Sequence, residues 1–310
     1  MNNVRGMVEG ALFTGIFIVL LLLTIYSPIG IITLYLMPIP FVVYSYRQGI
    51  KMGLWVTIAS AILSVFIGQI YGMFLGISAG TVGIVMGYLY HKSTPLPAVV
   101  GGVITTLVNY IILLILGNYL FDTHIVSDMK ATLNASMNAV EGMINNLGMT
   151  HNEQSLEMLE AYRTFINNLE LLLPFLFIAS AVLSVFLTHF FSTKMMKRLR
   201  IEIPSFPPFK DWRFPKSIVY YYLLTLIIIL LNPSLEILRL IAFNLSPLLQ
   251  LILLVQGLSF VFYYADHKNL GKKIPVIAVI SIFIIPVMGQ IFNIIGLVDL
   301  TFDIRKKIRG

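Results

Sequence analysis

Seven stretches of this chain contain no Asp, Glu, Lys or Arg: residues 10–46, 52–91, 93–121, 171–193, 217–235, 240–265 and 274–298. A hydrocarbon core about 30 Å thick is crossed by about 20 apolar residues in a helix, so the five shorter stretches are each of one-span size. The first two are twice that, about 55–60 Å as helix at 1.5 Å per residue, and each has to fold back on itself. Ser27-Pro28 divides the first, because proline ends or kinks a helix at the residue before it, and Tyr71-Gly72 divides the second. The pattern predicts an all-α, polytopic transmembrane helical bundle of nine candidate segments. With 11% charged residues and a mean hydropathy of +0.89, against about one quarter charged in a soluble domain, a soluble globular fold is excluded. The absence of cysteine excludes disulfide scaffolds, thiolate metal sites and cysteine nucleophiles. The first apolar run continues past signal-peptide length without a small-x-small cleavage site and reads as a retained first span.

The positive charges give an orientation. Even-numbered connections carry Arg47 and Lys51, then Lys92, then seven Lys and Arg between Lys194 and Lys216, then Lys268, Lys272 and Lys273. Odd-numbered ones carry Lys130, Arg163 and Arg239. Lys and Arg concentrate in cytoplasmic loops, which places the amino terminus and the even connections in the cytoplasm of a cell membrane. The tail, with Arg305, Lys306, Lys307 and Arg309, obeys the same rule only if the last stretch, interrupted at Pro286-Val-Met-Gly289, is a re-entrant pair of half-helices. The fold is then eight spans plus a re-entrant segment; the alternative is nine spans with the tail outside.

Three regions follow. Residues 1–193 form a six-segment membrane domain with an external helical hairpin at 122–170, residues 194–216 a basic cytoplasmic connection, and residues 217–310 the remaining helices and basic tail. In the hairpin Val126, Met129, Leu133, Met137, Val140, Ile144 and Leu147 recur at steps of three and four, one apolar stripe of a helix. A turn is expected at Gly148, and Thr150 with Glu153 reads as a capping box opening a second helix, which runs into segment six with a bend near Pro174. Its acidic polar face favours a cap over an external site rather than a membrane-surface helix.

Small residues fall at every fourth position at Ser60, Ser64, Gly68, Gly72, Gly76 and Gly80. This spacing keeps them on one helix face and lets helices approach closely in lipid; the face serves internal packing or is offered to another membrane protein. Polar side chains at membrane depth are functional candidates. Gln69, Asn109, Asn244, Gln256 and Gln290 are such residues, and for a lone Asn or Gln the plainer reading is a hydrogen bond between helices. Glu9, Arg47, Trp212 and Arg213 belong to the cytoplasmic interface, where interleaved cations and aromatics suit the headgroup zone better than nucleic acid. No catalytic residues are expected: the histidines 91, 124, 151, 189 and 267 are scattered, and Asp266-His267 are helix neighbours that do not face each other. There is no phosphate-binding Gly-x-x-x-x-Gly-Lys loop, so no ATPase. No metal site or cofactor is expected, and the partners are the lipid bilayer and a separate membrane partner.

Glu9-Gly10-Ala11, Pro38-Ile39-Pro40, Tyr46-Arg47-Gln48-Gly49, the glycine-rich fourth segment, Phe209-Lys-Asp-Trp212-Arg-Phe-Pro215, Gly296-Leu-Val-Asp299 and Asp303-Ile-Arg305 together resemble the YybS-like family of bacterial membrane proteins. The first six segments resemble the S component of energy-coupling-factor transporters, a six-helix protein with both ends cytoplasmic that binds vitamins or metals from outside. That resemblance implies an outward-facing pocket among segments one to six with Gln69 and Asn109 as polar ligand contacts and the Pro38 and Pro40 break as its wall, a transporter partner on the Ser60, Ser64 and Gly68 face, and energy from a separate ATPase module. The alternative is a membrane scaffold or regulatory protein with no substrate, recruiting partners through residues 192–217, the hairpin or the small-residue face.

Overall fold

The structure, a computed structural model, describes residues 2–92, 94–121, 125–146, 153–201, 203, 206–231, 235–271 and 273–309. Among them every regular element is helical: α1 (Asn2–Tyr26), α2 (Gly30–Leu36), α3 (Ile39–Lys92), α4 (Pro95–Phe121), α5 (Ile125–Asn146), α6 (Glu153–Asn167), α7 (Leu169–Arg198), α8 (Ser217–Leu231), α9 (Glu236–His267), α10 (Lys273–Ile284), α11 (Pro286–Phe302) and α12 (Ile304–Arg309), with one 3-10 turn at Phe209–Asp211. The turn at Gly148 and the Thr150 cap lie outside the described residues. The chain forms two compact units, Met1–Asn152 with Phe177–Ser205, and Glu153–Leu176 with Phe206–Gly310.

The first unit is governed by two breaks inside α3. Gly49 has φ +80° and ψ 176°, a conformation that L side chains rarely adopt, and Gly68 and Gln69 are also non-helical. They cut α3 into passes 39–48, 50–67 and 70–92. The second break falls at Gly68-Gln69 rather than at the expected Tyr71-Gly72, and packing explains the shift. Gly72 meets the backbone of Ser64, Gly76 meets Ala61 and Ser64, and Gly80 meets Thr57. These pairs are centred on Gly68, so the every-fourth-residue stripe folds at its middle and packs on itself. The turn is fastened by the Tyr26 hydroxyl, which donates to the carbonyl of Ile67 at 2.9 Å.

Other close approaches order the remaining passes. Gly6 and Gly10 of α1 lie against Gln48 and Tyr44, Gly83 and Gly87 against the backbone of pass 39–48, and Gly101 and Gly102 of α4 against Leu89 and Met86. The C-terminal part of α7 adds Val185 beside Gly102. Phe17, Leu21, Phe41, Val42, Met86 and Val185 form the buried core, with the Phe17 and Phe41 rings edge to face at 5.1 Å. Between α2 and pass 39–48, Pro38 and Pro40 lack the N–H groups that would continue the helix. In this stretch the carbonyl of Tyr35, whose α-helical partner would be the N–H of Ile39, accepts from the Thr188 hydroxyl at 3.1 Å.

In the second unit α7 begins as the continuation of α6, and Pro174 lies inside it. There the Asn244 side chain replaces a helical hydrogen bond: its Oδ1 accepts from the N–H of Phe175 at 2.8 Å and its Nδ2 donates to the carbonyl of Leu171 at 2.8 Å. α9 and α11 touch backbone to backbone, Gly257 against Phe292 and Gly296, and Gly296 against Leu253. Further along, Tyr263 reaches Arg305. α10 joins the end of α9 to the start of α11, and the extended residue Ile285 separates α10 from α11. The interruption expected at Pro286-Val-Met-Gly289 is present, as the break at Ile285 between α10 and α11. Val219, Leu253 and Leu300 make the apolar centre, packed by Phe214, Ile218, Tyr222 and Leu297.

The glycine contacts predict a sharp contrast. Gly257→Leu or Gly296→Leu forces side-chain atoms into a facing backbone carbonyl and costs about 1–3 kcal/mol or more, whereas Gly142→Ala, where a Cβ meets nothing within 4 Å, gains up to about 1 kcal/mol of helix propensity. Apparent melting temperatures of detergent-purified variants check both: a fall for the first two, an unchanged or raised value for the third.

Candidate functional site

In the first unit the polar layer is centred on Asn109, half-way along α4 and 5% exposed. Its Nδ2 donates to Ser78 Oγ and to Thr81 Oγ1, both at 3.1 Å. Gln69 is not brought to it: it is exposed at the Gly68 turn with φ 52°, about 15 Å of helix from Ser78 and Thr81. A non-glycine residue in that region stores about 1–3 kcal/mol of strain. The carbonyl of Pro38 abuts Gly83, so the proline break stands at nearly the depth of Asn109 but on the other face of pass 70–92. Pro40 is buried. Ser60 and Ser64 are fully buried, Ser60 Oγ donating to Thr14 Oγ1 at 3.4 Å. With Gly68 against Ile25 and Gly76 and Gly80 in the fold of the stripe, this face is occupied by the chain itself.

Glu9 pairs with Arg47 at 2.5 Å and accepts from Gln48 Nε2 at 2.8 Å, tying α1 to the end of pass 39–48. Nearby in sequence, the Tyr44 hydroxyl donates to the carbonyl of Gly6 at 3.1 Å. Tyr90 and His189 form a buried contact of 2.5 Å between the phenol and Nδ1. Tyr46 and His91 lie ring to ring at 5.4 Å.

The densest polar arrangement is in the second unit. Gln256, fully buried on α9, accepts from the N–H of Phe214 at 3.0 Å through Oε1 and donates to Asp299 Oδ2 at 2.5 Å through Nε2. The same carboxylate oxygen takes Arg305 Nε at 2.9 Å. Arg305 Nη1 donates to the carbonyl of Lys210 at 2.8 Å and Nη2 to Ser259 Oγ at 3.1 Å. Ser259 Oγ is also 2.8 Å from the carbonyls of Phe209 and Trp212. Loop 206–216 is thus held by side chains of α9 and α12.

Trp212 Nε1 donates to the carbonyl of Pro207 at 2.9 Å, and its ring packs edge to face on Phe209 at 5.3 Å. Arg213 pairs with Asp303. Lys210 donates to Asp266 at 2.6 Å, a hydrogen bond that raises the ammonium above the usual lysine pKa. Beside them Asp211, Arg213, Arg305 and Lys306 line a pocket of about 300 Å³.

Of this network, sequence reasoning singled out Gln256 for its depth, Trp212 and Arg213 for the interface, and Asp299 and Arg305 only as motif residues. Six residues apart on a continuous helix, Asp299 and Arg305 would not face each other. Asp303, with φ 53° and ψ 47°, turns the chain between α11 and α12 and lets them meet. An Asp followed six residues later by Arg across a helix-ending Asp is the available signal, and periodicity does not carry it.

Apolar helices of spanning length, broken and folded back within each unit, define a multi-pass integral membrane protein. The chain belongs to the family described as predicted membrane protein (DUF2232), whose model matches residues 15–300. It is similar to the uncharacterized protein YybS of Bacillus subtilis (strain 168), with 28% identity over 312 residues covering 100% of both chains, so the YybS-like resemblance extends along the whole sequence. No solved structure matches it.

Removing one member of a buried ion pair leaves the other charge uncompensated, at a cost of roughly 3–5 kcal/mol. Asp299→Asn and Arg305→Gln are each expected to lower the apparent melting temperature strongly, and the double variant to lose less than the sum of the two. Strict additivity in this cycle would show that the pair is not coupled.

Proposed function

We propose that the protein is an S-component-like small-molecule-binding subunit of a membrane transporter, with no catalysis of its own and with energy drawn from a separate ATPase module. The observation that carries this reading is the buried polar layer of the first unit, where Asn109, Ser78 and Thr81 meet half-way along α4, near the depth of the proline-broken helix α2–α3. Polar groups at membrane depth are costly in lipid, and transporter sites are built beside interrupted helices. The small-residue stripe, packed inside the unit, lends no support to a partner face there.

The test is ligand-dependent stabilisation, since a solute that binds only the native state raises its melting temperature. In a metabolite screen on the purified protein at least one small solute is expected to do so, and Asn109→Leu to abolish the shift while the unliganded protein still melts cooperatively. If no solute stabilises the protein, the reading fails.

The orientation proposed with it puts the amino terminus, loop 206–216 and the tail in the cytoplasm. Supporting it, Lys210, Arg213, Arg305 and Lys306 gather where α9 ends, as the re-entrant pair requires. Because the chain has no cysteine, single-cysteine variants are clean reporters. An impermeant maleimide is expected to label Asn138→Cys on intact cells, and Lys307→Cys only after permeabilisation. The reverse pattern would falsify the orientation.

A further inference from the structure

The pocket beside Arg305 is separate from the polar layer of the first unit, and its chemistry is specific. Three cations, Arg213, Arg305 and Lys306, line it against one acid, Asp211. Both guanidiniums are paired with an acid outside the pocket lining: Arg305 with Asp299, and Arg213 with Asp303. A guanidinium carries five N–H donors. Arg305 places three of its N–H groups on Asp299, Lys210 and Ser259, and it also lines the pocket. Its side chain is 7% exposed, so its position is set by the fold before any ligand arrives, which lowers the cost of ordering on binding.

We propose that this pocket binds a phosphate group, carried by a lipid headgroup or by a soluble phosphate compound. The planar guanidinium fork matches phosphate oxygens in a bidentate way. Lys306, exposed at the rim, adds a point charge. Asp211 accepts from a hydroxyl or ammonium group adjoining the phosphate and works against a ligand that is anionic throughout. A volume of about 300 Å³ stands at the small end of ligand pockets and suits a headgroup-sized moiety. Phe209 and Trp212, packed on each other in the same loop, supply the aromatic surroundings typical of the headgroup level.

The experiment uses the full chain in a phosphate-free maltoside detergent. Inorganic phosphate is titrated by calorimetry, and retention of added phosphatidylglycerol is read by native mass spectrometry. Binding in the first arm identifies a soluble source, in the second a lipid one. In whichever arm responds, Arg213→Gln/Lys306→Gln is expected to weaken binding by about tenfold or more, the loss of a charge-assisted contact, without loss of a cooperative melt. Lys306→Gln alone, which leaves the Arg213–Asp303 pair intact, is expected to weaken it in the same direction. A control pair in the first unit, Lys194→Gln/Lys197→Gln, is expected to leave binding unchanged. The proposal is overturned if neither probe binds, if the pocket variants bind as well as the native chain, or if the control pair weakens binding equally, since that would mark a general effect of positive charge. None of these readouts depends on a solute in the first unit, so the two proposals fail separately.

Discussion

Lipid offers no hydrogen-bonding partner, so each carbonyl and amide left over where a helix breaks has to be met from elsewhere in the protein. The breaks are many, and at several of them a single side chain answers the need. Thr188 meets the carbonyl of Tyr35 below the proline pair, Tyr26 meets that of Ile67 at the Gly68 turn, and Asn244 spans both backbone groups beside Pro174. Loop 206–216 follows the same rule on a larger scale, its carbonyls and amides taken up by Ser259, Gln256 and Arg305. Polar residues at membrane depth in this chain therefore include several whose work is to repair the backbone.

That distinction bears on which polar residues remain candidates for solute binding. Asn244 was a candidate in the sequence for its membrane depth, yet its amide is spent on α7. Gln256 is spent on Phe214 and Asp299. Asn109 is different: its principal partners are the side chains of Ser78 and Thr81, groups that can exchange one hydrogen bond for another when a ligand arrives.

The layout of helices was legible in the sequence because charge is so scarce that its positions punctuate the chain, and proline marked the breaks at residues 38, 40 and 286. The small-residue stripe was visible too, but its spacing of four is the same before and after a reversal, so the chain could be seen to pack closely without showing that it packs on itself. The break at Gly68-Gln69 was displaced by three residues for that reason. The Asp299–Arg305 pair was hidden by a left-handed residue at Asp303, a local backbone choice that hydrophobic periodicity does not register.

The order of synthesis gives the buried arginine a further meaning. Chains are made and begin to fold from the amino end, and Arg305 emerges after every group it binds: Lys210, Ser259 and Asp299. Until it arrives, Asp299 lacks its cation and the carbonyl of Lys210 lacks its donor. The second unit is therefore fastened by a residue of α12, and until Arg305 is made loop 206–216 lacks the donor that holds the carbonyl of Lys210.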